Sequence, residues 1–260
     1  MNLFDVSSDL QDTLIDDLNG LEDKEVFTSS EISEIPKILH TEITDKVPGM
    51  EKALVCGDPF RLGDVLDFQQ GYDNPYYAFG TCGLTSVANV CTLGGVEVTE
   101  PEVVDYAMKN NLCITSEEDP RYSNLGSGGA TTIHHMISLL NHYGFESHCE
   151  FANDAATCER LASAIEGGHG VIVCLNSGIL QDRPWKTADE NGNIFGTHAV
   201  TLTGTVRDVD TGELKGFYLC DSTGQNPNAG RTFVSLDKMN ECYTNITGGY
   251  AVITDNPIRN

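Results

Sequence analysis

Two hydrophobic periods divide the chain into a helical stretch followed by a stretch of strands. From about residue 53 the pattern is globular. In CGLTSVANVCTL (82–93) apolar positions recur at helical spacing until Gly94-Gly95 ends the run. Thr99-Glu100-Pro101-Glu102 sets Thr and Glu three apart, the capping-box spacing, and opens a second helix through VVDYAMKNN. Past the polar, glycine-rich SNLGSGG, the segment ATTIHHMISLLNHYG predicts an amphipathic helix with a glycine stop. ESHCEF predicts a strand and DAATCERLASAIEGG another helix. The texture then changes. GVIVCLNSG, THAVTLTGTVRD, ELKGFYLCDS, RTFVSL and GYAVITD are short runs rich in β-branched and aromatic residues, the composition of strands. An Asp-Thr-Gly turn in RDVDTGELKG predicts an antiparallel hairpin between two of them. Helices first and strands afterwards indicate an α+β fold rather than alternating α/β.

Residues 1–50 differ from the rest. They hold 12 acids against 3 basic residues, a net of −9, with short apolar clusters such as LIDDL and IPKIL. This composition predicts an acidic N-terminal arm or linker carrying two short helices, with Pro48-Gly49 closing it and one domain over 51–260. A pro-segment or docking arm is the sharper reading of the same residues.

Composition narrows the partners. The 260 residues carry 15 basic and 39 acidic side chains, a formal charge of −24, which repels nucleic acid and anionic lipid. No apolar run reaches the roughly 18 residues of a membrane span, and the acidic N-terminus is not a Sec signal peptide. The nine cysteines show no metal-ligand or disulfide spacing, and several sit in apolar runs, as in VIVCLN. Synthesis in a reducing cytosol is expected, with delivery by some route other than a Sec signal peptide left open.

Three short strings carry candidate chemistry. GTCG opens the first strong helix, so Cys82 faces free backbone N–H groups and the positive end of the helix dipole, which favours thiolate. Gly80 and Gly83 are expected to let a substrate backbone approach. GTHAVTLTG puts His198 at the head of a strand, and YLCDS delivers Asp221 at the end of the paired strand. Each alone is more often structural. Together they supply a nucleophile, a base, and an acceptor that fixes the base's tautomer.

The strings GTCGLTSVANV…GVEVTEPEVVDYA, GVIVCLNSGIL, THAVTLTG and GFYLCDS, in that order over about residues 66–257, resemble papain-like peptidase domains related to bacterial double-glycine leader peptidases. The versions in bacterial polymorphic toxins and effectors are the most similar. The resemblance implies a papain-like fold, a helical half headed by the Cys82 helix and packed on an antiparallel sheet, and a Cys82–His198–Asp221 triad. It implies hydrolysis of amide bonds in a protein or peptide substrate without a cofactor. The same triad also serves glutamine deamidases and transglutaminases, and a silent domain would be a binding module. One departure stands out: the wider family places an oxyanion-hole Gln about six residues before the Cys, where this chain has Tyr76. The nearby amides are Gln69, Gln70 and Asn74, and Gln70 is the candidate.

Other features have plainer readings. His134 and His135 point about 100° apart on a helix and His148-Cys149 alternates across a strand, so neither pair suits a metal. GSGG (126–129) lacks the Lys of a phosphate loop, and the resemblance implies that it borders the cleft, because the matching block in the related domains is also glycine-rich. Trp185, the only tryptophan, lies on a loop before the His strand as a cleft wall or as loop packing. Selection of a basic substrate by the acidic surface is a minority reading.

Overall fold

The computed structural model describes residues 40–57, 59, 66, 69–71, 73–154, 156–184, 187–223 and 231–259. The expected helices within 1–39, and Trp185, lie outside them. Two strands, β1 (Thr41–Val47) and β2 (Met50–Cys56), pair antiparallel through a Pro48-Gly49 turn. Gly49 has φ +79°, the left-handed value that the third residue of a type II turn demands. Residues 41–50, assigned above to the acidic arm, are thus the edge hairpin of the main sheet. Most of β1 is exposed, so its sequence lacks the alternation that marks a half-buried strand.

The helical stretch follows. It comprises α1 (Cys82–Leu93), α2 (Glu100–Asn110), a small hairpin of β3 (Ile114–Thr115) with β4 (Gly128–Ala130), and α3 (Ile133–His142). The expected Thr99–Glu102 capping box is present, with both Thr99 N and Oγ1 donating to Glu102 at 2.8 Å. After β5 (Ser147–Phe151), α4 (Thr157–Glu166) and β6 (Val171–Leu175) come the short α5 (Ser177–Leu180) and the hairpin β7 (His198–Arg207) and β8 (Leu214–Cys220). The chain closes with β9 (Thr232–Ser235), α6 (Leu236–Met239), a π-helical turn over Asn240–Thr244, and β10 (Tyr250–Thr254).

The main sheet runs β1-β2-β7-β6-β10-β5, with β8 and β9 branching from β7, and its paired strands are antiparallel. β7 is the organising strand: it pairs with β6 over 198–202, with β2 over 205–207 and with β8 over 201–207. Both faces of the sheet are covered. One packs on α1, α2 and α3 through Leu84, Val87, Met136, Ile172, Ala199 and Val252. The other packs on α4 and on residues 236–246 through Leu161, Ile165, Val173, Val200, Phe217 and Tyr243. This double covering explains why β6 and β10 are apolar without alternation, as sheets buried on both faces are. It also modifies the expected two-part picture, because helical structure flanks the sheet on both sides. Within α1, Gly83–Cys91 are all buried, so the helix that carries Cys82 is a core element.

Val47, Ala53, Val55, Val206 and Tyr218 form a small core beneath the edge hairpin. Val47→Asp would bury an unpaired carboxylate there and should lower stability by about 2–4 kcal/mol. On a domain of this size that is a fall in Tm of roughly 5–15 °C by calorimetry. An unchanged Tm would show that β1 is not part of the domain.

Candidate active site

Cys82 is the first residue of α1, and the reason its helix end is free for chemistry lies in Thr81. Thr81 occupies the N-cap position but makes no side-chain cap; its hydroxyl donates instead to the buried Glu100 at 2.6 Å. The first N–H groups of the helix are left to face the Cys82 sulfur, and the Gly83 N–H bonds to it. Gly80 and Gly83 do not act as expected. A Cβ at Gly83 would lie 1.9 Å from Thr131 Oγ1, and one at Gly80 would meet Leu125 and the Gly128 carbonyl oxygen. Both are required by packing inside the protein rather than by an approaching substrate.

His198 sits at the head of β7, opposite Leu175 of β6. Gly196 makes the entry to this strand possible, since a Cβ there would come within 2.8 Å of Cys174 Sγ. The β7–β8 hairpin pairs Thr201 with Cys220 and brings Asp221, one residue beyond β8, beside His198. Asp221 Oδ1 accepts from His198 Nε2 at 2.8 Å. That bond leaves Nδ1 as the ring nitrogen for Cys82, whose side chain is hydrogen-bonded to His198. The structure therefore brings Cys82, His198 and Asp221 into one hydrogen-bonded line.

Asp221 is held from four directions. Thr223 donates to Oδ1 from its backbone N at 3.0 Å and from its hydroxyl at 2.7 Å, and Gln181 Nε2 donates to Oδ2 at 3.0 Å while also bonding the Thr223 hydroxyl. Sequence reasoning missed both partners. Thr223 carries a recognisable local signal, an Asp followed two residues later by a backbone donor in an Asx turn. Gln181, at the end of α5, carries none.

The electrostatics follow from these contacts. Burial pushes the Cys82 thiol up, but the hydrogen bond and charge of His198, with the N–H groups of Ala199 and Gly83, outweigh it and hold the thiol below its ordinary value. Burial pulls the His198 imidazole down, and Asp221 and Cys82 together reverse this and raise it above the ordinary histidine range. Asp221, despite burial, is held well below the carboxylate range by His198 and Thr223. Burial moves other thiols the opposite way: Cys91, Cys149, Cys174 and Cys242 are each pushed up to about 12. None of the nine cysteines is in a disulfide.

The amides named as oxyanion candidates have defined places. Tyr76, which stands where a Gln was expected, donates its hydroxyl to Asp105 of α2 at 2.9 Å. Asn74 is a buried turn brace: it donates to the Ala78 carbonyl oxygen and accepts from the Tyr76 and Ala78 N–H groups. Gln69 bridges antiparallel to Thr223. Gln70 spans the two sides of the site, donating from Nε2 to Phe79 O at 2.9 Å and accepting at Oε1 from the Ser222 hydroxyl at 3.0 Å. One of its two amide hydrogens is thereby committed. The GSGG loop does border this region: Gly126 bridges to Ala78, and Gly80 N donates to Gly128 O. His135 belongs to the capping box of α3, where its Nδ1 accepts from Thr132 N.

The Peptidase_C39 like family matches residues 64–251. The chain belongs to this family. Its mixed helices and antiparallel sheet are the expected papain-like α+β fold. Uncharacterised proteins of Mycobacterium tuberculosis and Mycobacterium bovis are 29% identical over 149 residues, covering 52% of this chain and 60% of theirs. The chain therefore matches less than two thirds of the length of these relatives. Among solved structures, a double glycine motif protease from an AMS/PCAT transporter in complex with its leader peptide aligns at 14% identity. That alignment covers 67% of this chain and 84% of that one, with a TM-score of 0.33. SERA5E from Plasmodium falciparum aligns at 14% identity over 78% of this chain and 95% of that one, with a TM-score of 0.40. No membrane-spanning helix is present among the described residues.

A lowered thiol and a raised imidazole predict a thiolate–imidazolium pair that exists between the two values. Iodoacetamide should alkylate Cys82 with a midpoint below the free-thiol value of about 8.5. His198→Ala removes the charge that offsets burial, so the midpoint should rise. Mass spectrometry of the labelled residue across pH checks this. An unmoved midpoint would mean that His198 does not ionise Cys82.

Proposed function

We propose that the chain cleaves peptide bonds with Cys82 as nucleophile, His198 as proton carrier and Asp221 as the group that orients and stabilises His198. The observation that carries this reading is the 2.8 Å bond from His198 Nε2 to Asp221, which directs the other ring nitrogen to a thiol at a helix start.

The Cys82 thiolate attacks the carbonyl carbon of the scissile amide, forming a C–S bond and an oxyanion. The His198 imidazolium then gives its proton to the leaving nitrogen as the C–N bond breaks, leaving a thioester and a neutral imidazole. That imidazole removes a proton from water, the resulting hydroxide attacks the thioester carbon, and the C–S bond breaks to restore thiolate and imidazolium while releasing a carboxylic acid. Asp221 stays ionised throughout and keeps the imidazole in the tautomer with its proton on Nε2.

For the oxyanion we assign the backbone N–H of Cys82 and the uncommitted amide hydrogen of Gln70. Gln70 stands beside the chain that leads into α1, because its side chain bonds Phe79. Such a donor typically contributes a factor on the order of 100–1000 in rate. A toxin or effector role is likewise a proposal, supported by the resemblance of the four sequence blocks alone.

The test is incubation of the wild-type chain with a denatured protein mixture, followed by mass spectrometry of new N-termini. New termini are expected with the wild type and absent with Cys82→Ala. Conversion of glutamine to glutamate without new termini would contradict the peptidase reading and establish a deamidase. Equal cleavage by Cys82→Ala would remove Cys82 from the mechanism.

A further inference from the structure

Among the described residues, the exposed large hydrophobic side chains are Tyr77, 76% exposed, and Phe79, 48% exposed. Both lie in the short run leading into Cys82. Single exposed apolar residues need no explanation, but two beside a nucleophile differ when the fold spends structure on presenting them.

Tyr77 has φ +53°, a left-handed conformation that a tyrosine adopts only under constraint. Its N–H donates to Asn74 O at 3.3 Å and its carbonyl oxygen accepts from Ser127 N at 3.2 Å, so the strained backbone is fixed at both ends. Phe79 is fixed as firmly. Its N–H donates to Leu125 O at 3.0 Å and its carbonyl oxygen accepts from Gln70. Its ring lies against two glycines with positive φ: a Cβ at Gly71 would come within 3.1 Å of the ring, and one at Gly126 within 2.9 Å. The backbone that presents the aromatic pair is therefore fixed, and the Phe79 ring packs on the two glycines. Strain of this kind concentrates where a ligand is gripped.

The charge around the pair is one-sided. Residues 61–121 contain ten acids and three basic residues, Arg61, Arg121 and Lys109, the last of which is committed to Asp105 at 2.6 Å. Exposed Asp73 precedes Tyr77 by four residues, and exposed Glu117 and Glu118 follow Ser116, whose N–H bonds Ser127 O beside Tyr77. An apolar surface rimmed by carboxylates suits an apolar side chain flanked by cations, which the tyrosine ring face also attracts.

We propose that Tyr77 and Phe79 form a subsite for an apolar or aromatic side chain in a positively charged peptide segment. Phe79 precedes Cys82 by three residues, so its Cα lies at most about 11 Å from that of Cys82. At about 3.3 Å per residue of extended peptide, the recognised side chain lies within roughly three positions of the scissile bond. This inference rests on the peptidase reading of Cys82 and adds its substrate class.

The experiment uses the full chain carrying Cys82→Ala and three fluorescein-labelled peptides of Gly/Ser background. The first has a central Phe flanked by Lys, the second a central Ser flanked by Lys, the third a central Phe flanked by Glu. Fluorescence polarisation should show the first binding at least about tenfold more tightly than either of the others. Tyr77→Gly and Phe79→Ser should each reduce the preference for Phe over Ser. Glycine accepts φ +53° without strain, so Tyr77→Gly should keep a Tm no lower than its parent. The proposal is overturned by equal binding of the two Lys peptides, by preference for the Glu peptide, by no binding of the first below about 1 mM, or by undiminished selectivity in Tyr77→Gly. Iodoacetamide labelling of the chain with Cys82 intact separates the two readings. Absence of activated labelling overturns the peptidase assignment; activated labelling without aromatic selectivity overturns the subsite alone.

Discussion

A buried imidazole next to a buried thiol would ordinarily leave both groups neutral, since desolvation disfavours each charged form. The 2.8 Å hydrogen bond between His198 Nε2 and Asp221 reverses that preference, and the rest of the site depends on it. With Asp221 ionised, a proton on His198 is stabilised. With His198 protonated, the Cys82 thiolate is stabilised in turn, helped by the N–H groups of Gly83 and Ala199. The three groups support one another: without the carboxylate, burial would favour the neutral imidazole and with it the neutral thiol. The neighbours of Asp221 therefore matter. Four hydrogen bonds from His198, Thr223 and Gln181 leave that carboxylate little freedom to rotate.

The sheet positions one side of the site and the core the other, and a short segment joins them. β7 and β8 fix His198 against Asp221 by strand register, whereas Cys82 is placed by a helix buried along most of its length. Residues 69–71 run between these sides. Gln70 N donates to Ser222 O, its side chain bonds both Ser222 and Phe79, and Gly71 N donates to Glu100, the carboxylate that also holds Thr81. This strap ties the residue after Asp221 to the residues before Cys82. It adds a set of directed bonds to the direct packing of α1 on β7, and such bonds tolerate less displacement than apolar packing.

Much of this was legible in the sequence, and the parts that were not share a cause. Helices α1, α2, α3 and α4 announced themselves by periodicity, glycine stops and the Thr99–Glu102 box, and the β7–β8 hairpin by its Asp-Thr-Gly turn. Cys82, His198 and Asp221 were visible because each stands at the end of an element. The β1–β2 hairpin is hidden in the sequence because β1 is largely exposed and acidic, so it reads as a solvated segment, and Pro48-Gly49 reads as a boundary when it is a turn. Gly80 and Gly83 read as room for a substrate because a sequence cannot show that Leu125 and Thr131 occupy the space beside them. Gln181 lies 40 residues from Asp221, and no local pattern links a polar loop residue to a distant carboxylate.

The central claim is that His198 carries a proton at neutral pH, in contact with an ionised Cys82. The most direct test is nitrogen NMR of the chain labelled at histidine, with the His198 resonance identified by its loss in His198→Gln. The account predicts that both ring nitrogens of His198 show the shifts of an imidazolium at pH 7 and that Cys82→Ala lowers the pH at which this form is lost. Neutral-imidazole shifts for His198 at pH 7 would contradict the account, because no charge would then be present to hold the Cys82 thiolate.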